Sequence, residues 1–246
     1  MITIEWTGRL CNRLTQYAGA RVIADHAGIQ LQHPSPELQS FGHVYSNFSE
    51  YFSIQPPPVH AQCYAGDAIN LDDNWVLANY LHLSDMTPGR YHITGNMQVY
   101  KFLQHHYDRI CSILVPCKSV CKKEGVLVHA RLGDISVERS GTIEYYQKAL
   151  QQLPYQHGWI VTDPMSQDHD VIKQLQQQYD LKLYIATPVE QLFFSIGFDA
   201  AILSTGSFSW WMGALSNAQT VFYYDMPQHL AWHPPLFCIK NWQPLC

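Results

Sequence analysis

Charged residues are scarce in this 246-residue chain. It has 15 Lys and Arg and 20 Asp and Glu, so 14% of its residues are charged, where a globular domain typically has about 25%. The net charge of −5 argues against a general nucleic-acid binder, because such a protein needs a basic surface. With 47% hydrophobic and 13% aromatic residues, the composition also excludes a disordered, collagen-like or coiled-coil chain. It suits a protein that binds a neutral polar ligand.

Long apolar runs are also missing. No window approaches the roughly 18 apolar residues of a membrane-spanning helix. The amino-terminal residues MITIEWTGRLCNRL have no apolar stretch behind a basic one, as a secretory signal would have. We therefore expect a cytoplasmic protein without a transmembrane segment.

Cysteine occurs at seven positions, an odd number, and no C-x-x-C pair is present. This pattern predicts reduced, mostly buried thiols rather than a disulfide framework. Three of them, Cys111, Cys117 and Cys121, lie close together, but their spacings of six and four match no common zinc-binding pattern. G-x-S-x-G and G-x-G-x-x-G are absent as well, which argues against an α/β hydrolase and against a Rossmann oxidoreductase.

The carboxyl-terminal half alternates between predicted strands and predicted helices. Apolar segments predict five strands, at 125–133, 158–163, 181–186, 200–205 and 220–225. Helical spacing predicts four helices between them, at 142–153, 168–179, 188–197 and 206–217. This order predicts an α/β fold with a doubly wound parallel sheet.

The amino-terminal half opens in a similar way. A predicted strand at 2–7 is followed by a break at Gly8 and a helix that ends at Gly28. Further strands are predicted at 60–65 and 90–95, and a helix at 97–114. The polar stretch CKSVCKKEG separates the two patterns, so we predict an amino-terminal lobe of residues 1–120 and a carboxyl-terminal lobe of residues 121–246.

Ligands of open α/β sheets bind beyond the carboxyl ends of the strands, and four groups of polar residues follow predicted strands. The first is the turn at 7–13, where Gly8 allows close backbone approach and Arg9 and Arg13 add positive charge near a helix N-terminus. The alternative is a tight connection with no further role.

The second group is His129, Arg131 and Asp134, at the end of a predicted buried strand. An arginine in that position needs an anionic partner, and its fork-shaped guanidinium suits a pyrophosphate. The alternative is an internal ion pair of Arg131 with Asp134 or Glu138.

The third and fourth groups follow the next strands. Asp163 could accept two N–H donors from a guanine edge; alternatively, it initiates an Asp-Pro turn. Residues 204–211 bring hydroxyls and backbone amides to a helix N-terminus, which predicts a phosphate cradle. The alternative there is a serine cap, with Phe208, Trp210 and Trp211 filling the core.

Six segments in chain order resemble the inverting α-1,2-fucosyltransferase family, which is related to the α-1,6- and protein O-fucosyltransferases. The segments are GRLCNRLTQYA (8–18), GNMQVYKFLQHH (95–106), HARLGD (129–134), IEYYQKAL (143–150), Thr162-Asp163 and STGSFSWWMGAL (204–215). The resemblance spans nearly the whole chain, and its most specific motif is H-x-R-x-G-D. It implies a GT-B-like architecture: two Rossmann-like lobes, with GDP-fucose held mainly by the carboxyl-terminal lobe and the glycan acceptor by the other.

The resemblance also implies roles for individual residues. Arg131 would hold the β-phosphate of the donor, His129 would support the nucleotide and Asp163 would read guanine. The phosphate cradle and the approach from the amino-terminal lobe would be formed by Thr205, Ser207, Phe208, Ser209, Arg9 and Asn12.

The family needs no metal ion, because an arginine and a helix N-terminus offset the charge that develops on the leaving GDP. Asp168-His169-Asp170 does spell the D-x-D of metal-dependent transferases. It opens a predicted helix, however, where acidic residues are favoured in any case. We therefore predict no metal site and no prosthetic group.

The predicted reaction is an inverting transfer, in which an acceptor hydroxyl attacks the anomeric carbon opposite the nucleotide. An oxocarbenium-like transition state makes a strong base optional. Asp134 is the carboxylate nearest to Arg131 in sequence and is the candidate catalytic carboxylate, although orienting the turn is an alternative role. Glu138 and Glu144 are lesser candidates.

The sequence departs from the family pattern around the sugar and phosphates. Leu132 replaces a second arginine, Cys11 replaces a turn glycine, and Thr205-Gly206 replaces Asn-Ser. These departures leave two alternatives open. One is the same chemistry with another GDP-sugar or a UDP-sugar, and the other is a non-catalytic module that binds a nucleotide sugar.

Overall fold

The chain forms two compact units, each with its own parallel sheet. The structure is a computed structural model that describes residues 1–33, 35–36, 39–40, 43–58, 66–227, 239 and 241–246. The two units are Met1–Cys117 and Lys118–Cys246. For comparison, the lobes predicted from the sequence are residues 1–120 and 121–246.

The amino-terminal unit is built on a three-stranded parallel sheet in the order β1-β6-β5. Two antiparallel pairs, β2 with β3 and β4 with β7, accompany it. A 3-10 helix spans Leu83–Asp85. The elements are β1 (Ile2–Ile4), α1 (Leu10–Ala27), β2 (Gln39–Ser40), β3 (His43–Val44), α2 (Phe48–Tyr51), β4 (Phe52–Ile54), β5 (Ala68–Leu71), α3 (Asp73–Asn79), β6 (Arg90–Ile93), α4 (Tyr100–His105), α5 (Tyr107–Ile113) and β7 (Leu114–Pro116).

Helix α1 lies between the two glycines Gly8 and Gly28, as the sequence predicts. Gly8 has a φ of 69°, and a Cβ there would lie 2.1 Å from the Asn12 side-chain nitrogen. Gly28 adopts the left-handed conformation, and its N–H donates to the Ala24 carbonyl oxygen. Gln16, which is fully buried, accepts from the Thr7 N–H and donates to Gly95. It therefore fixes the turn between β1 and α1 against the chain that leaves β6.

The predicted helix at 97–114 is two helices instead, α4 and α5. His106 ends the first and begins the second, with φ −106° and ψ 19°. Its ring is buried and its Nε2 lies 3.2 Å from the Tyr80 carbonyl oxygen, so a contact distant in sequence accompanies the break. The predicted strand at 60–65 lies outside the described residues.

The carboxyl-terminal unit has a six-stranded sheet in the order β10-β9-β8-β11-β12-β13, parallel throughout. A 3-10 helix spans Pro164–Ser166. The elements are β8 (Lys123–His129), α6 (Val137–Ser140), α7 (Ile143–Gln151), β9 (Gly158–Val161), α8 (Asp170–Tyr179), β10 (Leu181–Tyr184), α9 (Pro188–Phe194), β11 (Phe198–Leu203), α10 (Ser207–Ser216), β12 (Thr220–Tyr224) and β13 (Trp242–Leu245).

The five predicted strands and four predicted helices of this unit are confirmed, and the predicted α/β class with them. Strand β13 was not predicted. Its sequence contains Pro244, which cannot donate to a sheet ladder and is tolerated because β13 is an edge strand.

Helices flank both faces of this sheet. On one face, Val126, Val128 and Ile202 pack with residues of α7 and α8 such as Tyr146 and Ile172. On the other face, α10 packs closely on β11, since a Cβ at Gly213 would lie 2.5 Å from the Leu203 side chain. Each large apolar side chain buried in this way contributes about 1.5–3 kcal/mol. Within the described ranges, no helix combines the length and apolar character needed to cross a membrane.

Candidate functional site

The candidate site lies at the carboxyl edge of the six-stranded sheet, between β8 and β11. The chain runs from β8 outward through β9 to β10, and then returns to place β11 on the other side of β8. The strand order therefore reverses between β8 and β11. In open α/β sheets, this switch point is where loops diverge and leave a crevice for a ligand. Two of the four predicted groups, around Arg131 and around residues 204–211, follow these two strands.

His129, the last residue of β8, is buried against α10. Its Nδ1 lies 2.7 Å from the Ser209 hydroxyl oxygen, and its ring lies 5.4 Å from that of Phe208. Burial, together with the nearby Arg131 cation, lowers the pKa of His129 to about 3. The ring is therefore uncharged at neutral pH and cannot hold a phosphate as a cation. The structure thus brings together three predicted site residues: His129, Phe208 and Ser209.

Arg131 forms an internal ion pair with Asp134, one of the alternatives that the sequence left open. Its Nε and one terminal nitrogen donate to the two Asp134 carboxylate oxygens, at 2.8 Å and 2.7 Å. The Arg131 side chain is 27% exposed and that of Asp134 is 39% exposed. A partly exposed pair of this kind is worth about 0–1 kcal/mol, so a stronger anion can compete for the guanidinium.

The second terminal nitrogen of Arg131 approaches the N-terminus of α10. A Cβ on Gly206 would lie 2.5 Å from Arg131 Nη1, so any larger residue there would require the guanidinium to move. Gly206 also has a φ of 95°. It precedes the first residue of α10 and offers no side-chain cap, and the first turn of α10 has no acidic residue. A guanidinium cation and the positive end of a helix dipole therefore meet at the switch point.

The hydroxyls predicted to line a phosphate cradle are largely engaged with the backbone. Thr205 donates to the Arg139 carbonyl oxygen at 2.9 Å, and Ser209 donates to the Thr205 carbonyl oxygen at 3.0 Å. Ser204 donates to the Ser140 carbonyl oxygen. These hydrogen bonds hold the loop between β11 and α10, so the three hydroxyl groups donate their protons to the backbone and not to a ligand. Ser207 is half-buried at the first position of α10.

Asp163 follows β9, and its carboxylate caps the short helix Pro164–Ser166. One oxygen accepts from the Met165 and Ser166 N–H groups at 3.0 Å and 3.1 Å, and the other accepts from the Ser166 hydroxyl at 2.6 Å. Gly133 packs directly on this carboxylate, because a Cβ there would lie 2.7 Å from both of its oxygens. Asp163 therefore initiates a turn, as the alternative interpretation proposed, and it touches the loop that carries Arg131.

Arg9 and Asn12 lie in the amino-terminal unit, at the start of α1. Arg9 is exposed and directly precedes the helix, and its side chain does not cap it. Asn12 accepts from the Gln98 side chain at 3.2 Å. Arg13 is buried and donates to the Gly8 carbonyl oxygen, so its role there is to hold the turn.

Two buried tyrosines of α7 support the site and were not singled out from the sequence. Tyr145 donates to the Leu203 carbonyl oxygen at 2.8 Å, and Tyr146 lies within 3.4 Å of the carbonyl oxygens of His129 and Ser140. These bonds tie the carboxyl ends of β11 and β8 together. The sequence does hold a signal for them, because a tyrosine on the buried face of a helix needs a partner for its hydroxyl.

The lesser base candidates lie at exposed helix starts. Glu138 and Glu144 are in the first turns of α6 and α7. Hydrogen bonds from their own backbone N–H groups, then from the Ser136 and Thr142 side chains, lower the pKa of each carboxyl. A lowered pKa makes each of them a weaker base.

The D-x-D sequence at residues 168–170 lies at the start of helix α8. His169 caps α8 by accepting from the Val171 N–H, and Asp170 begins that helix. Across the described ranges, no three His, Cys, Asp or Glu side chains form a group that could hold a metal ion. None of the five described cysteines is in a disulfide, but the prediction that they are mostly buried is wrong: Cys11 is buried, Cys111 is partly buried, and Cys117, Cys121 and Cys246 are exposed.

The fold and the site together define an α/β protein whose parallel sheet brings the Arg131–Asp134 pair and the N-terminus of α10 to its topological switch point. Comparison with family models, with curated proteins and with solved structures found no match to this chain.

Proposed function

We propose that this chain is an inverting glycosyltransferase that moves a sugar, L-fucose from GDP-fucose, to a hydroxyl of a glycan acceptor without a metal ion. On this proposal the two units are the lobes of a GT-B-like architecture. The carboxyl-terminal unit binds the donor, and the amino-terminal unit binds the acceptor and supplies Arg9 and Asn12.

The approach of Arg131 to the N-terminus of α10 is the observation that carries the proposal. A cation beside the positive end of a helix is unfavourable unless an anion contacts both of them, and Asp134 offsets only the guanidinium. A diphosphate fits this place, because it accepts a guanidinium fork and backbone N–H groups at the same time. The location at the switch point between β8 and β11 supports a nucleotide ligand independently.

The same groups suit departure of a nucleotide. Negative charge grows on the β-phosphate as the bond to the sugar breaks, and donors already in place stabilise it without rearrangement. Arg131 and the first turn of α10 are held by the bonds described above, so they are in place beforehand. Asp134 holds Arg131 until the diphosphate competes for the guanidinium. As the acceptor oxygen bonds to the anomeric carbon and the bond between sugar and phosphate breaks, the acceptor hydroxyl gives its proton to water.

A second candidate is the same chemistry with a nucleotide other than GDP. The Asp163 carboxylate already accepts three hydrogen bonds from residues 165 and 166, and a carboxylate has about four acceptor sites. Recognition of guanine through two N–H donors would require part of this cap to open. The hydrogen bonds that Asp163 already accepts favour a nucleotide whose nucleobase is not recognised by Asp163, such as the uracil of a UDP-sugar.

A thermal-shift screen separates these candidates. A donor present at 100 times its Kd stabilises the folded protein by about 2.7 kcal/mol, so GDP-fucose, other GDP-sugars and UDP-sugars can be ranked by the midpoint they produce. Arg131→Ala should lose the stabilisation. Arg109→Ala removes the arginine of another Arg–Asp pair, with Asp25 in the other unit, and should keep it.

Activity is then measured as release of free nucleotide from the best donor, with and without added glycan. Release by the wild-type protein supports a transferase, whereas tight binding without release would favour the non-catalytic module. Failure of every nucleotide sugar to stabilise the protein would refute the proposal.

A further inference from the structure

The hydrogen bonds around Ser209 determine which ring nitrogen of His129 carries its proton. The Ser209 hydroxyl has one proton, and it lies 3.0 Å from the Thr205 carbonyl oxygen, which can only accept. With that proton donated to Thr205, the 2.7 Å contact between Ser209 and His129 Nδ1 must be donated by the ring. Nδ1 therefore carries the proton.

The neutral state of the ring completes this assignment. His129 is 5% exposed, and both its burial and the Arg131 cation oppose a second proton. A neutral imidazole with its proton on Nδ1 has a bare lone pair on Nε2. The ring of His129 is thus a hydrogen-bond acceptor in a crevice whose other groups, Arg131 and the N-terminus of α10, are donors.

The Nε2 atom of His129 is not completely enclosed by the described residues. Nε2 makes no hydrogen bond to any described residue. It is also not among the buried nitrogen and oxygen atoms that lack a hydrogen bond in the described part of the chain, so it keeps contact with solvent. His129 ends β8, beside the switch point where the nucleotide is proposed to bind.

We infer that Ser209 is a positioning residue that locks His129 in the Nδ1–H form, so that Nε2 accepts a hydrogen bond from an N–H or O–H group of the bound nucleoside. The ligand half of this inference rests on the proposed function, and the assignment of the proton does not. The Ser209–His129 pair makes the site selective for ligands that donate a hydrogen bond to Nε2. A ligand that presents a lone pair there leaves two acceptors facing each other and loses the bond.

Nitrogen NMR of isotope-labelled histidine tests the assignment in the ligand-free protein. The wild-type His129 ring should show a protonated Nδ1 and an unprotonated Nε2, unchanged from pH 8 to pH 5. In Ser209→Ala the ring loses its acceptor and should shift toward the form protonated at Nε2. Ser195→Ala is the matched control, because Ser195 is a fully buried serine that donates to the Leu192 carbonyl oxygen. It should leave the His129 signals unchanged.

Titration with GDP, or with UDP if the screen selects it, tests the ligand half. Loss of one hydrogen bond corresponds to about two- to tenfold weaker binding, which we expect for Ser209→Ala and not for Ser195→Ala. His129→Asn keeps an N–H near Ser209 but has no Nε2, and it should show the same loss.

Each outcome bears on the inference. A wild-type ring protonated at Nε2 would overturn it even if Ser209→Ala does not fold, since that measurement needs no variant. If the ring proves to be protonated at Nδ1 but the nucleotide affinity is equal in the wild-type protein, Ser209→Ala and His129→Asn, then Nε2 does not bind the nucleoside. This result would overturn the ligand half of the inference. No nucleotide binding by the wild-type protein would refute the proposed function and with it the ligand half, while the NMR spectra would still decide the assignment of the proton.

Discussion

Gly206→Ala tests the contact between Arg131 and α10 with a single added methyl group. The added Cβ would lie 2.5 Å from Arg131 Nη1, whereas unstrained contacts are about 3.5 Å or longer. The guanidinium is the end of a flexible side chain, so it moves away by about 1 Å. For a guanidinium about 4 Å from a phosphate charge, moving to 5 Å at an effective dielectric constant of about 20 weakens the attraction by about 0.8 kcal/mol. This corresponds to about fourfold weaker nucleotide binding, before any lost hydrogen bond is counted.

The same substitution also strains the backbone, and a control must separate the two effects. Gly206 has a φ of 95°, in a region where a non-glycine residue costs about 1–3 kcal/mol. Gly197 has the same φ of 95° and also lacks room for a Cβ, which would lie 2.6 Å from the Cys121 carbonyl oxygen. It directly precedes β11, at the amino ends of the strands, whereas Gly206 follows β11 at the carboxyl ends. Gly197→Ala should therefore lose stability without losing affinity.

Urea unfolding and calorimetric titration with the nucleotide selected by the screen give the two quantities needed. We expect both variants to unfold at lower urea concentrations, and only Gly206→Ala to bind the nucleotide at least about fourfold more weakly. Equal affinity in folded Gly206→Ala and Gly197→Ala would refute an anion site shared by Arg131 and the N-terminus of α10.

Three further predictions concern charge, pH and thiols. Asp134→Asn frees Arg131 from its pair and should strengthen nucleotide binding by up to about fivefold, because a partly exposed pair is worth up to about 1 kcal/mol; complete loss of transfer with binding retained would instead make Asp134 catalytic. Burial lowers the pKa of His106 from 6.5 to about 4, so the folded protein binds the proton less readily than the unfolded chain. His106 alone should lower the free energy of unfolding by about 3 kcal/mol as the pH drops from about 6.5 to 4, so urea unfolding of His106→Gln should show a smaller fall than that of the wild-type protein. A thiol reagent should modify native Cys117, Cys121 and Cys246, which are exposed, but not Cys11, whose burial raises its pKa; mass spectrometry of native protein that found Cys11 modified first would contradict its placement.

Much of the carboxyl-terminal unit could be predicted because its signals are local. Thr142 accepts from the Tyr145 N–H and caps α7, as its place in the sequence predicts. Pro188 lies in the first turn of α9, where its missing N–H costs nothing. The apolar run that ends at His129 is a buried parallel strand, although it ends earlier than the predicted residue 133.

The features that the sequence did not predict depend on contacts between distant residues. The break between α4 and α5 involves His106 and Tyr80, and strand β13 pairs with β12 in spite of Pro244. Within the site, the sequence placed Arg131 near an anion but could not choose between Asp134 and Glu138. That choice is made by loop geometry after β8, which the alternation of apolar residues does not encode.

We propose that Arg131 holds the leaving nucleotide of a sugar donor. The most direct measurement is release of GDP from GDP-fucose, or of UDP if the screen selects a UDP-sugar, by wild-type protein and by Arg131→Ala with added glycan. Arg131 and Asp134 are partly exposed, so the substitution should change the free energy of unfolding by no more than about 1 kcal/mol. We expect release by the wild-type protein and none by a folded Arg131→Ala. Release at the wild-type rate by that variant would show that Arg131 does not hold the nucleotide.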